Sequence, residues 1–307
     1  MSTSRESLGY AAAVLAAVLW STLGVLAKIV YGLGADPLTV ISLRATLAAG
    51  IVFIVISMKG SNDLRVSHSD IPLFIVYGFF GVALNYLGYF YALKFTTVAT
   101  AITLLYTYPA LVVIFAFFHY GEPITHRKIV VLSLTFVGII LSSLNIGQYG
   151  FSWNVEGLAF GLLASLGNAV YTLAGKKAQR IYNTKTNLFY SFLIGSLFLL
   201  SFRLASLGTA FTPRPVTLGL IFVIALFPTV LGYGLFTLSL RFIEAGSASL
   251  VSSVEPVFAI CLAFLILGEI PGLLQILGST LIVLGVFILR FRPTTGDKTK
   301  LYLERRS

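Results

Sequence analysis

Charge is scarce in this sequence. Asp, Glu, Lys and Arg make up 10% of its 307 residues, against about 25% in a soluble domain, and no stretch has the composition of such a domain. Cysteine is nearly absent. Cys261 stands alone, so no disulfide can form within the chain, and cysteine usage says nothing about the redox compartment. The three histidines, His68, His119 and His126, lack the spacing of metal ligands, which argues against a metal site. No GxxxxGK[ST] loop occurs, so ATP is not expected to drive the protein. No Ser/His/Asp or paired-acid set shares a common depth, which disfavours an intramembrane enzyme. No cofactor is expected.

What the chain does have is apolar length. Hydrophobic residues make up 57% and the mean hydropathy is +0.94. Runs near 8–31, 37–58, 71–93, 97–119, 127–146, 155–175, 186–207, 216–240, 245–268 and 271–290 approach the roughly 20 residues that a hydrocarbon core requires. They are continuously apolar rather than alternating, which favours helices over a β-barrel. The expected fold class is an all-α integral membrane protein with ten transmembrane helices. The first run leads into Lys28 without a convincing cleavage site and reads as a retained span.

The runs are duplicated. The stretch from Lys94 to Gly121-Glu122 returns in register from Arg241 to Gly268-Glu269. Adding 147 turns Leu84 into Leu231, Tyr86 into Tyr233, Ala101 into Ala248, Pro109 into Pro256 and Gly138 into Gly285. Upstream the offset becomes 148, so Ala13, Ala17 and Ser21 map onto Gly161, Ser165 and Ala169, and Lys28 onto Lys176. The expected units are 1–147, 148–292 and a polar tail, 293–307. With the N-terminus inside, sixteen Lys and Arg fall on one side and four on the other, with Arg44 left within a span. Short cytoplasmic loops collect cations, so both termini are expected in the cytoplasm of a cell-membrane protein. Five spans per half is an odd number, which makes the halves inverted repeats about an axis in the membrane plane. The net charge of +10 is then a matter of topology and of attraction to an anionic leaflet. Nucleic acid is not an expected partner; a small-molecule substrate and membrane lipid are. Monomer and homodimer are both open.

Polar residues inside the spans are the candidates for function. Ala13, Ala17 and Ser21, and Gly157, Gly161 and Ser165, have the small-residue spacing of packed membrane helices and read as structural. Pro109 and Pro256, near the middles of the fourth and ninth runs, free the carbonyls of Leu105 and Ser252 and read as hinge positions. Pro228 adds a kink opposite Gly81. Thr96, Thr100, Thr103 and Thr107 form one helical stripe beside Pro109; Ser249, Ser252 and Ser253 do the same beside Pro256. Trp20, Tyr86, Tyr89, Tyr106, Tyr108, Tyr171 and Tyr233 add aromatic rings with polar tips. Two ionisable groups lie deep, Arg44 and Glu255, and such groups are costly unless paired, neutralised or facing water. They are gating or coupling candidates together with the two prolines. Glu122 and Glu269 read as loop anchors.

The segment from Ala92-Leu93-Lys94-Phe95 through Pro109 to Gly121-Glu122, its echo through Glu255-Pro256-Val257 to Gly268-Glu269, the Trp20 to Lys28 segment and Arg44 together resemble the EamA branch of the drug/metabolite transporter superfamily, over about residues 9 to 290. The resemblance implies two inverted five-helix bundles around a central cavity, and alternating-access transport, commonly outward, of small metabolites such as amino acids. Carried over by position, it implies a substrate-binding wall of Trp20, Asn85, Tyr86, Tyr89, Thr103, Tyr106, Asn168, Tyr171, Tyr233 and Ser252. Trp20 maps onto Asn168 and Tyr108 onto Glu255, so the two walls differ chemically. An aromatic, hydroxyl-rich, cation-poor wall favours an uncharged or zwitterionic metabolite. Transport of organic anions or sugar phosphates is the alternative, although phosphate clamps want several interior cations.

Overall fold

A computed structural model describes residues 2–59, 64–96, 101, 104–143, 154–206, 214–267 and 271–290. Thr100, Thr103, Glu269, the boundary near 147 and the tail 293–307 lie outside the described residues. Every described element is helical. In chain order they are α1 (Arg5–Gly32), α2 (Pro37–Met58) and α3 (His68–Phe95), then α4 (Tyr108–Tyr120) and α5 (His126–Ser143). There follow α6 (Val155–Ile181), α7 (Thr184–Ala205), α8 (Pro215–Phe242) and α9 (Ala245–Leu262), and α10 (Leu273–Arg290). Seven of these, α1–α3 and α6–α9, are long and apolar enough to cross a membrane by length and composition.

The distribution of side chains is that of a protein in lipid. Phe118, Leu204 and Leu265 point outward, whereas Arg44, Asn85, Asn187, Thr229 and Ser252 are buried. Hydrocarbon cannot hydrogen-bond polar groups, so they turn inward and find partners there. Helix ends are closed locally. Asp36 Oδ1 accepts from Thr39 N at 3.0 Å, and Asn183 Oδ1 from Thr186 N at 3.0 Å, the usual service of an N-cap. Gly121, at φ 64°, terminates α4 in the left-handed conformation that glycine adopts without steric cost.

Helix contacts repeat the duplication. The offset, 148 in α1 and 147 from α2 onward, exchanges α1 with α6, α2 with α7, α3 with α8, α4 with α9 and α5 with α10. The packed pairs include α2 with α7, α4 with α9 and α5 with α10, each a helix against its own copy. They also include α1 with α8 and α3 with α6, which the offset turns into each other. The contact pattern is therefore unchanged when the two copies are exchanged. The ladder residues do the packing expected of them: Ala13, Ala17, Ser21 and Ser165 are buried, and Ser165 Oγ lies 2.7 Å from Thr107 Oγ1.

The kinks take a different form from the one expected. Pro109 and Pro256 do not interrupt the α-helical hydrogen-bond ladder, because each follows a turn that has already broken it. At Tyr106–Thr107 and at Ser253–Val254, positions 147 apart, the ladder tightens into a single turn with i→i−3 bonds such as Thr107 N to Leu104 O and Ser253 N to Leu250 O, and each proline is the second residue of the helical stretch that follows. A first-turn amide has no intrahelical acceptor, so proline fits there without losing a hydrogen bond. Pro228 does not stand alone either. It sits in a π-helical turn, Ala225–Tyr233, and a second such turn, Tyr77–Leu84, occupies the matching place in α3 around Gly81. The wide turn belongs to both copies, with or without proline.

The α3–α6 contact admits no side chain at three glycines, Gly81, Gly88 and Gly167. A Cβ at Gly88 would lie 2.5 Å from Ala164 N, and one at Gly167 would lie 2.8 Å from Asn85 Cα. Gly88→Val should therefore force α3 and α6 apart and lower the melting temperature of the purified protein, at an overpacking cost of about 1–3 kcal/mol or more. Gly24→Ala, where a Cβ meets nothing within 4 Å, should melt like the parent. Equal melting of both variants would contradict this packing.

Candidate functional site

Helix breaks, wide turns and the α1 tryptophan converge on one small polar cavity. Trp20, Leu23, Arg44, Asn85, Tyr89, Leu105, Asn168, Tyr233 and Glu255 line it. Of the residues implied by resemblance, Trp20, Asn85, Tyr89, Asn168 and Tyr233 reach this wall directly. Tyr86, Tyr106, Tyr171 and Ser252 stand behind it and hold wall residues in place, and Thr103 lies outside the described residues. Pro109 and Pro256 do not line the cavity. Its volume is about 30 Å³, far below the roughly 300 Å³ at the lower end of small-molecule pockets, so this conformation has no room for a metabolite. A larger hollow of about 250 Å³ lies between α1, α8 and α9; its lining is apolar except for Thr22, whose hydroxyl donates to the Leu19 carbonyl of its own helix at 2.7 Å.

The floor of the cavity is aromatic. Trp20 packs on Tyr233 and Phe236 at centroid distances of 4.9 and 5.1 Å. Tyr233 continues to Tyr171 at 4.9 Å and to Tyr86 at 5.9 Å. Tyr171 is anchored by Thr237 at 3.1 Å. Asn85 Nδ2 donates to Asn168 Oδ1 at 3.3 Å, joining α3 to α6 across the repeat boundary. The indole N–H of Trp20 is buried without a partner.

The two ionisable groups occupy the same cavity without pairing. Glu255 Oε2 accepts from Tyr106 O–H at 2.6 Å, and Tyr106 reaches the Ser252 carbonyl at 3.4 Å. Tyr108 hydrogen-bonds the Ser252 hydroxyl behind them. Arg44 is 1% exposed. Its Nε donates to Thr229 Oγ1 at 3.0 Å, its Cζ stands 3.9 Å from the centre of the Tyr86 ring, and its Nη2 has no partner. Arg44 takes no part in the ion pairs of Lys128 with Glu122 and Glu244. Stacking on a ring returns about 2 kcal/mol when desolvated, whereas a buried cation costs several. Arg44 therefore remains under-compensated.

Thr229, which holds Arg44, was not singled out by the sequence. The wide turn places it: its hydroxyl donates to the carbonyl five residues back, Ile224, at 2.7 Å, and its oxygen then accepts from Arg44. The hydroxyl stripes are mostly occupied by their own backbone. Thr96 bonds Ala92, Ser249 bonds Gly246 and Ser253 bonds Ser249, as short hydroxyl side chains do in helices.

One end of the α8–α9 connection is tied shut. Glu122 accepts from Ala245 N at 2.8 Å and from Gly246 N at 3.1 Å, closing the N-terminus of α9, where a carboxylate also meets the helix dipole favourably. Lys128 Nζ lies 2.9 Å from Glu244 and 3.8 Å from Glu122. Lys176 Nζ donates to the carbonyls of Leu240 and Ile243 at 2.7 and 2.6 Å. Glu122 thus anchors a loop of the other half of the chain.

Comparisons with known proteins agree with this geometry. The model of the EamA-like transporter family matches twice, over residues 7–144 and 155–291. An uncharacterized transporter of Archaeoglobus fulgidus is 26% identical over 280 residues, covering 91% of this chain and 95% of that one. An uncharacterized transporter of Clostridium kluyveri is 26% identical over 293 residues, covering 91% and 92%. A solved crystal structure, 20% identical, superposes with a TM-score of 0.78 over 99% of both chains, a likeness of fold. With two family matches that together span nearly its whole length, a helical body with apolar exterior and a polar cavity where its repeats meet, this multi-pass membrane protein belongs to the EamA-like transporter family.

Proposed function

We propose that the chain is a secondary-active exporter of small uncharged or zwitterionic metabolites such as amino acids, working by alternating access. In this reading ten helices cross the cell membrane as two inverted five-helix repeats, with both termini in the cytoplasm. The observation that carries it is the central cavity. It combines an acid, a base, two amides and a Trp–Tyr floor, and it lies beside chain breaks that recur 147 residues apart, one just before α4 and one within α9. Discontinuous helices at matching places in two halves are where transporters build a midplane site. The cavity is too small for cargo in this conformation, which fits an occluded stage of such a cycle. Arg44, with an unpartnered Nη2, favours the second reading, an anionic cargo; Glu255 on the same wall weighs against multiply charged anions such as sugar phosphates. Efflux of radiolabelled amino acids from proteoliposomes tests the proposal, and transport confined to sugar phosphates would replace it.

The topology makes its own demand. In a Cys261→Ser background, cysteines at Gly60 and at Lys300 should react with impermeant reagents only from the cytoplasmic side, and one at Gly147 only from outside. Matching accessibility of all three would remove the inverted repeat.

The breaks and the acid have separable roles. Pro109→Ala and Pro256→Ala should let helix propagate through the breaks, slowing transport while folded yield stays nearly intact; parental rates in both would return the prolines to packing. Glu255→Gln should keep ligand binding and abolish acceleration by a pH gradient, because a carboxyl at this depth is suited to carry the coupled proton. An unaltered pH dependence in proteoliposomes would exclude that role.

A further inference from the structure

Arg44 has hydrogen-bonding capacity that the protein leaves unused. A guanidinium carries five N–H donors. One bonds Thr229, the flat face rests on Tyr86, and Nη2 is buried without a partner. The acid sharing the cavity is occupied by Tyr106. The side chain is thus fixed in direction by Thr229 and Tyr86 while part of its donor edge stays free.

Packing does not require this charge. The caps at Asp36 and Asn183, 147 residues apart, set the register of α2 against α7. In that register the second-copy partner of Arg44 is Ser191. Ser191 is fully buried, and its hydroxyl returns to its own helix at the Leu188 carbonyl, 3.1 Å away. One copy of the repeat therefore closes its core at this place with a small, self-satisfied side chain, while the other installs a cation without a counter-ion.

We propose that Arg44 is the carboxylate-binding residue of the transport site, so that the cargo is a carboxylate-bearing metabolite whose charge completes the cavity. This rests on the transport function proposed above. One guanidinium matches one carboxylate in charge and in planar, two-point geometry. A phosphate dianion would bring a second charge into a wall whose other ionisable member is an acid, Glu255.

The test uses the purified full-length protein in lipid nanodiscs. The probes are two series: phenylalanine, phenylalaninamide and 3-phenylpropionate; leucine, leucinamide and 4-methylpentanoate. Wild type should bind an amino acid at least about tenfold more tightly than its amide, the value of a charge-assisted hydrogen bond. Arg44→Gln should erase that preference and Arg44→Lys should retain part of it, since lysine keeps the charge but not the fork. Thr229→Val, which keeps the charge and removes its anchor, should reduce the preference, and it serves where Arg44→Gln does not fold. Equal binding of acid and amide by wild type, or an undiminished preference in Arg44→Gln, would overturn the assignment. Arg44-dependent binding of 3-phenylpropionate without phenylalanine would support the assignment while refuting the zwitterion reading. Binding of the amides alone would refute the assignment, and no binding by any of the six would count against both.

Discussion

Hydrocarbon offers no hydrogen bonds, and that constraint organises this molecule. Each helix satisfies its own backbone, and polar side chains can be satisfied only against protein. The two repeats accordingly turn their polar faces towards each other. Asn85 meets Asn168, Tyr106 meets Glu255, Tyr108 meets Ser252, and Arg44 meets Thr229, each across the boundary between halves. The same boundary needs close backbone approach, which Gly88 and Gly167 permit. Cavity and packing are two aspects of one interface.

Duplication with divergence gives the interface its chemistry. The scaffold is shared: paired caps, wide turns in α3 and α8, a break just before α4 and its match within α9. Apart from the Tyr86–Tyr233 pair, the side chains in and around the cavity differ between the copies. Trp20 stands where the second copy has Asn168, Tyr108 where it has Glu255, Arg44 where it has Ser191. A repeated frame with unlike walls brings an acid, a base and an aromatic cluster to one cavity.

Much of this was legible in the sequence because its causes are periodic or compositional. Apolar runs gave the helices, and the offset of 147 gave the pairing of copies. Trp20, Asn85, Tyr89, Asn168 and Tyr233 reach the cavity wall by positional likeness. What the sequence concealed depends on local hydrogen-bond geometry. Proline in an apolar run reads equally as a kink or as the first turn of a new helix, and here it is the latter. The π-helical turns have no compositional mark, so Pro228 looked unpaired and Thr229 looked ordinary. Leu23 and Leu105 line the cavity with no signal that separates them from other leucines. The depths of Arg44 and Glu255 could be counted along their helices; that they share a cavity without forming an ion pair is a matter of tertiary structure.

The central claim is that one cavity between the halves is reached from each face in turn. A single cysteine at Asn168, in a Cys261→Ser background, tests it most directly. Impermeant thiol reagents are applied to right-side-out and inside-out vesicles during turnover, with and without transported amino acid. The account predicts labelling from both faces, slowed by substrate in each case. Labelling from one face only, under every condition in which transport proceeds, would contradict it.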